Sequence, residues 1–232
     1  MKEILLHLET SSTVCSVALS QGHELIALKE INEGFSHAEN LHLFVADVIN
    51  QANLNFEDLN GIAVSKGPGS YTGLRIGVSA AKGYALSLEI PLISVDTLQT
   101  MAYSVKKTIG NTAGVLIPMI DARRNEIFSC VLDPELNYVS PTQPIVFDHS
   151  GLNFFPETNS FYFFGSGAEK SVAFLKSYSN AIYVNGMHVS AENMIELALN
   201  KFRNSIFEDV AYFEPFYLKE FYSPSQNQKV KE

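Results

Sequence analysis

Residues 66–77 read KGPGSYTGLRIG, and the fold turns on this stretch. Ahead of it, Ile62, Ala63 and Val64 form an apolar run of strand type. Gly67-Pro68-Gly69 is a backbone turn that needs glycine freedom, and Ser70 stands where a helix N-cap belongs. The helix it opens is expected to run to about Leu88. Free N–H groups at its start, with the positive end of the helix dipole, suit a phosphate or a carboxylate. Lys66, Arg75 and Lys82 add positive charge, and no Asp or Glu lies between Leu59 and Leu88 in a chain of net charge −9. The glycine spacing matches neither GxxxxGK[ST] nor GxGxxG, so the loop alone does not establish a nucleotide site.

Within that helix Gly73, Gly77, Ala81 and Ala85 recur every fourth residue and make one small-residue stripe. Each internal glycine costs roughly 1 kcal/mol relative to alanine. Close backbone approach compensates that cost, and two contacts fit equally: this helix against its own sheet, or against another molecule.

Outward from this segment the pattern continues in both directions. Glu3–Glu9, Val14–Ser20 and Glu24–Ile31 read as strands, the last two joined by a turn at Gln21-Gly22-His23. Ser36 and Glu39 form an S-x-x-E capping box ahead of a helix whose apolar face carries Leu41, Phe44, Val45, Val48, Ile49 and Ala52. A short strand at Pro91–Val95 leads to a helix capped by Asp96 and ending near Gly110. The order implies an antiparallel meander extended by parallel crossover units, an α/β sheet. A second unit begins at Gly114, with strands at Val115–Ile117 and Ile127–Val131 flanking the turn Asp121-Ala122-Arg123-Arg124. Strands at Ile145–Phe147 and Phe161–Phe164 follow, then a helix from Ala168 and another over Ser190–Phe202, capped by Ser190 with Asn193 three positions on. Three regions are expected: a first lobe at 1–110, a smaller second lobe at 111–222, and a flexible polar tail at 223–232.

No apolar run approaches the roughly 20 residues that span a bilayer, and Met1-Lys2-Glu3 leads straight into a strand without a secretory pattern. Cys15 and Cys130 are isolated and read as buried thiols. A cytoplasmic location is expected. The acidic balance argues against a stand-alone nucleic-acid binder, so any nucleic acid is expected to be held largely by a partner.

Two strand ends carry polar clusters. Glu9-Thr10-Ser11-Ser12 fits either a site that orients a phosphate, metal or water, or a turn whose hydroxyls satisfy free backbone groups. Asp121 and Arg123 fit either opposite sides of a cleft or an exposed pair. Gly165-Ser166-Gly167-Ala168 precedes a helix and reads as a turn more readily than as an anion site. His37 and His42, five apart on a helix, point roughly 140° from each other, so no shared metal is expected.

Together, Glu9-Thr10-Ser11, residues 67–77, Ala81-Lys82-Gly83, Asp121-Ala122-Arg123 and 165–168 resemble, in order along nearly the whole chain, the TsaB family, formerly YeaZ. The resemblance implies a two-lobed actin-like or sugar-kinase-like ATPase fold on ribonuclease-H-like sheets, with the second lobe reduced. It implies a non-catalytic scaffold or activator that binds the related catalytic subunit TsaD. With the ATPase TsaE, TsaD transfers a threonylcarbamoyl group to N6 of adenosine 37 in tRNAs reading codons that begin with A. A homodimer in the absence of TsaD, tRNA reached only through the complex, and no cofactor of the chain's own are also implied. ATP is used by the complex, and a nucleotide at the subunit interface stays open. The catalytic relative carries an H-x-x-x-H metal pair that this sequence lacks.

On this reading the helices 36–52 and 70–88 face the partner through Leu41, Phe44, Val45, Val48, Tyr71, Gly73, Leu74, Gly77, Val78 and Ala81. Anion or nucleotide contacts would come from Glu9, Thr10, Ser11, Gly67, Gly69, Ser70, Arg75, Asp121 and Arg123. The alternative is an ATP-dependent phosphotransferase or nucleotide hydrolase of the same fold, with Glu9 or Asp121 as base. An M22-type peptidase, a label once given to relatives, ranks last because no dyad or metal site supports it.

Overall fold

The computed structural model describes residues 3–34, 36–110, 113–147, 154–156, 160–175 and 178–218. The expected tail at 223–232 lies outside them. Two five-stranded sheets share one topology. The first has β1 (Ile4–Glu9), β2 (Cys15–Gln21), β3 (Glu24–Ile31), β4 (Gly61–Gly67) and β5 (Leu92–Asp96) in the order β3-β2-β1-β4-β5. The meander is antiparallel, and β4 and β5 run parallel to β1. The second has β6 (Val115–Asp121), β7 (Glu126–Leu132), β8 (Tyr138–Val146), β9 (Phe161–Phe164) and β10 (Ala181–Val184) in the order β10-β9-β6-β7-β8, with the same alternation of pairings.

Strand periodicity sorts the first core into two faces. Leu6, Leu8 and Val64 pack with Leu41, Val45 and Val48 of α1 (His37–Gln51) and with Val78, Ala81 and Ala85 of α2 (Tyr71–Leu88). Leu5, Ala63 and Ile93 point the other way, onto Ala191, Met194, Ala198 and Leu199. The last two of these belong to the helix Ile195–Arg203. By contrast α3 (Thr97–Ile109) sets Leu98, Met101, Ala102 and Val105 against Leu116, Cys130, Leu132 and Phe164 of the second sheet. Thus α3 packs on the second sheet while also touching β4 and β5 of the first, and residues 190–218 return to the first sheet.

That return ends in a strap. Glu208 N–H donates to Leu92 O (2.8 Å) and Phe216 N–H to Lys66 O (2.7 Å). Lys82 Nζ donates to Ala211 O (3.1 Å) and Phe213 O (3.0 Å).

Most expected elements form within a residue or two, and the departures have local causes. β8 starts at Tyr138, seven residues earlier than expected, because its Pro141 and Pro144 lie on an edge strand where missing N–H donors do no harm. β10, four residues on the opposite edge, is not marked in the sequence. The S-x-x-E box does not close: Ser36 has φ −95° and ψ 20° rather than the extended N-cap conformation, and its hydroxyl makes no cap bond. Ser190 caps nothing either, since its hydroxyl donates to Glu30 Oε2 (2.7 Å). Ser70 and Asp96 do cap α2 and α3. Both cysteines are buried, and neither forms a disulfide. Among the described residues no helix is long and apolar enough to cross a membrane.

Candidate functional site

A cleft of about 1140 Å³ opens between the two sheets. Its walls are the equivalent ends of β1 and β6, the central strands, which places the two polar clusters of the sequence opposite each other.

On the first wall Ser11, Ser12, Thr13, Gly69, Ser70, Tyr71 and Thr72 line the cleft. Glu9 lies behind the turn. It is fully buried, its Oε1 accepts from Ser11 N–H (2.6 Å), and burial pushes its carboxyl above the ordinary carboxylate range. Thr10 is also buried; its hydroxyl donates to Gly73 O (2.8 Å). The turn and the start of α2 are laced together, with Ser70 N–H donating to Ser11 O (2.7 Å) and Ser70 Oγ accepting from Gly73 N–H (3.3 Å).

This lacing explains the glycines. A Cβ on Gly69 would meet Ser11 O at 2.2 Å, one on Gly73 would meet Thr10 O at 2.1 Å, and one on Gly77 would meet Thr10 Oγ1 at 2.1 Å. The small-residue stripe therefore faces its own sheet. Gly73, Leu74, Gly77, Val78 and Ala81, with Leu41, Val45 and Val48 of α1, are buried within the chain and do not offer a surface to a partner. Of the expected interface residues only Phe44 and Tyr71 are half-exposed.

The positive charges are also turned to internal work. Lys66, Arg75 and Lys82 do not line the cleft. Lys66 Nζ is 3.9 Å from Asp96 Oδ2, Arg75 donates to the Tyr71 hydroxyl (2.7 Å), and Lys82 holds the strap. Gly67, at φ +112°, lets the strap approach: a Cβ there would meet Phe216 O at 2.8 Å. These three cations are thus engaged within the chain, while Gly69 and Ser70 of the same segment line the cleft.

On the second wall Asp121, Arg123, Arg124 and Glu169 line the cleft. Asp121 Oδ1 accepts from Arg123 N–H (2.7 Å) and pairs with Lys170 Nζ (2.5 Å), so its partner is Lys170 and not the Arg123 side chain. The 165–168 segment is a turn: Gly167 N–H donates to Met119 O (3.0 Å), Ala168 N–H donates to Gly165 O (2.9 Å), and Ser166 Oγ accepts from Asp121 N–H (3.1 Å). Of the nine expected anion contacts the structure brings Ser11, Gly69, Ser70, Asp121 and Arg123 to the cleft and leaves Glu9, Thr10, Gly67 and Arg75 outside it. Glu9 is thus enclosed behind the turn, whereas Asp121 lines the cleft paired with Lys170. Tyr183, Phe216 and Tyr217 also line the cleft, Lys170 joins it through Asp121, and nothing local in the sequence marks these four.

The histidines stay apart. His37 is buried, with Nε2 2.9 Å from Ser12 O, and His42 Nδ1 lies 2.7 Å from the Tyr84 hydroxyl on the surface. No group of three His, Cys, Asp or Glu side chains among the described residues could hold a metal.

A family model described as TsaD, tRNA N6-adenosine threonylcarbamoyltransferase, matches residues 34–223. The tRNA threonylcarbamoyladenosine biosynthesis protein TsaB of Escherichia coli (strain K12) is 36% identical over 124 residues, 53% of this chain and 52% of that protein. The chain thus spans about half the length of the curated relatives it matches. Among solved structures, YeaZ from Pseudomonas aeruginosa superposes with a TM-score of 0.80 at 22% identity, covering 93% of this chain and 100% of that one. The activator of the 2-hydroxyisocaproyl-CoA dehydratase from Clostridium difficile with bound ADPNP gives 0.52 at 10% identity, covering 88% and 97%. These likenesses establish the two-lobed actin-like ATPase fold that the duplicated sheets display. With that fold, the family match and the ordered motifs in agreement, the chain belongs to the TsaB (YeaZ) family.

Proposed function

We propose that this chain is a non-catalytic subunit for threonylcarbamoyladenosine formation on tRNA. It binds TsaD and holds it in a productive arrangement for transfer to N6 of adenosine 37. The observation that carries this reading is the outward surface of α1 and α2. Leu43 is 63% exposed and Leu86 71%, and His42 and Tyr84 join the two helices there. Gly83, inside α2, has nothing within 4 Å of where its Cβ would be. A helix-interior glycine costs roughly 1 kcal/mol, and no contact among the described residues requires it. A partner helix laid across that surface does. The partner face is thus the side of α1 and α2 opposite the buried stripe.

On this reading TsaE joins through the same assembly, tRNA is held by the complex, and ATP is consumed there. A homodimer uses the same face when TsaD is absent, and the complex works in the cytoplasm. The test is reconstitution: threonylcarbamoyladenosine formed on tRNA by TsaD and TsaE, with and without this chain. Product should require it, and equal product without it overturns the proposal. Leu86→Glu should abolish co-purification with TsaD at unchanged melting temperature, and retained co-purification would refute the assigned face.

A further inference from the structure

The outward face of α1 and α2 carries more than apolar contacts, and its charges are all of one sign. On α1, Glu39 and Asp47 stand one turn before and one turn after Leu43, so the three share the outer side of the helix. From Ser36 to Ser65 the acids are Glu39, Asp47, Glu57 and Asp58, and there is no Lys or Arg. Of these four only Asp47 is in an ion pair among the described residues, with Lys29 Nζ at 3.2 Å. On α2 the exposed Ser79, Gly83, Leu86 and Ser87 are uncharged, and another acid, Glu89, caps the helix C-terminus. The two cations of α2 are committed elsewhere, Arg75 to Tyr71 and Lys82 to the strap.

An aromatic shelf joins the two helices. Phe56 stacks on Tyr84 with ring centroids 5.8 Å apart and 11° between the planes, and the His42 ring lies 5.7 Å from Tyr84. Glu57 and Asp58 follow Phe56 directly and are exposed. Aromatic rings beside exposed carboxylates suit a cation.

We propose that the partner element seated on this face is an apolar helix flanked by Arg or Lys, one of which lies on the Tyr84–Phe56 shelf. This rests on the reading that the face binds TsaD, and adds the chemistry of the surface it meets. Leu43, Leu86 and the open position at Gly83 receive the apolar ridge, and Glu39, Glu57 and Asp58 receive the cations around it. A second copy of this chain is the weaker occupant, because a two-fold contact uses the same patch on both sides and sets acids against acids. A phosphate backbone carries the wrong charge for the face.

The test is the association rate of the full chain with TsaD, measured by stopped flow at about 0.05 M and about 0.5 M salt, across which the screening length falls about threefold. Association should slow at least about tenfold at the higher salt, while the homodimer is unchanged or tighter. Glu39→Gln combined with Glu57→Gln should slow it about threefold or more at the lower salt and flatten the salt dependence. Tyr84→Leu, which keeps an apolar side chain but not the ring, should speed dissociation several-fold. Equal association rates at both salts, equal rates in wild type and the double Gln variant, or a homodimer weakened by salt as much as the complex would each overturn the proposal. If Leu86→Glu still abolishes binding in those cases, the face stands and its charge preference does not. Wild-type chain that fails to bind TsaD at either salt overturns the underlying reading, and the proposal with it.

Discussion

Gly77 and Gly83 lie six residues apart in one helix, and alanine at the two positions should change stability in opposite directions. At Gly77 the new methyl would stand 2.1 Å from Thr10 Oγ1 and 3.3 Å from Thr10 Cβ, so the threonine must move by more than an ångström. Overpacking of this kind costs about 1–3 kcal/mol. The displaced hydroxyl also gives up its bond to Gly73 O, worth about 1 kcal/mol. Helix propensity returns about 1 kcal/mol. The balance is a loss of about 2 kcal/mol, or about 4–8 °C in Tm for a chain of this size. Gly83→Ala meets nothing and should gain up to about 1 kcal/mol. The clash at Gly77 is with a side-chain atom, so Thr10→Ala combined with Gly77→Ala should cost less than the sum of the two single changes. At Gly73 the obstacle is the Thr10 carbonyl itself, 2.1 Å away, and truncating Thr10 should bring no such relief. Urea unfolding of the four single alanine variants, at Thr10, Gly73, Gly77 and Gly83, and of the two Thr10 doubles reads all of this out. The reasoning is refuted if Gly77→Ala is as stable as Gly83→Ala, or if Thr10→Ala relieves Gly73→Ala equally well.

Two further outcomes follow from polar side chains away from the cleft. Lys82→Met removes both bonds to the strap carbonyls and should lower stability by about 1–2 kcal/mol, with faster hydrogen exchange confined to residues 206–218. Uniform exchange across the molecule would contradict it. His7 is fully buried beside Ser20, and burial pushes its imidazole down to about 3. The unfolded chain takes up a proton there below about pH 6.5 and the folded chain does not, so stability is full above that pH and falls as pH drops toward 3. At pH 5 wild type should have lost about 2 kcal/mol more than His7→Gln, relative to pH 7. The opposite contribution of Glu9 cancels in that difference, and parallel pH profiles would remove the argument.

The strands and helices were legible because their signals are local. Ser70 and Asp96 cap their helices as the sequence indicates, and the order of the first five strands is the one its meander and crossovers imply. What stayed hidden is contact at long sequence separation. Nothing near Lys170 announces that it will hold Asp121, forty-nine residues away, and nothing in α3 says that it will cover the other sheet. Helical periodicity marks an apolar face without saying which sheet meets it. The failed caps at Ser36 and Ser190 show the same limit at short range: residue type offers a hydroxyl, but backbone angles and competing acceptors decide where it bonds.

The 66–77 segment shows why local charge and small residues misled. Its glycines admit three different neighbours: the strap at Gly67, the β1 turn at Gly69 and Gly73, and the Thr10 hydroxyl at Gly77. Its cations meet a carboxylate and a hydroxyl inside the same lobe. A segment read as reaching outward, to an anion and to a partner, is the joint at which β1, α2 and the returning chain are fastened together. Substitution there therefore tests folding before it tests assembly. Loss of TsaD binding in a Gly77 variant would say nothing about the interface, whereas loss in Leu86→Glu, on the opposite side of the same helix, would.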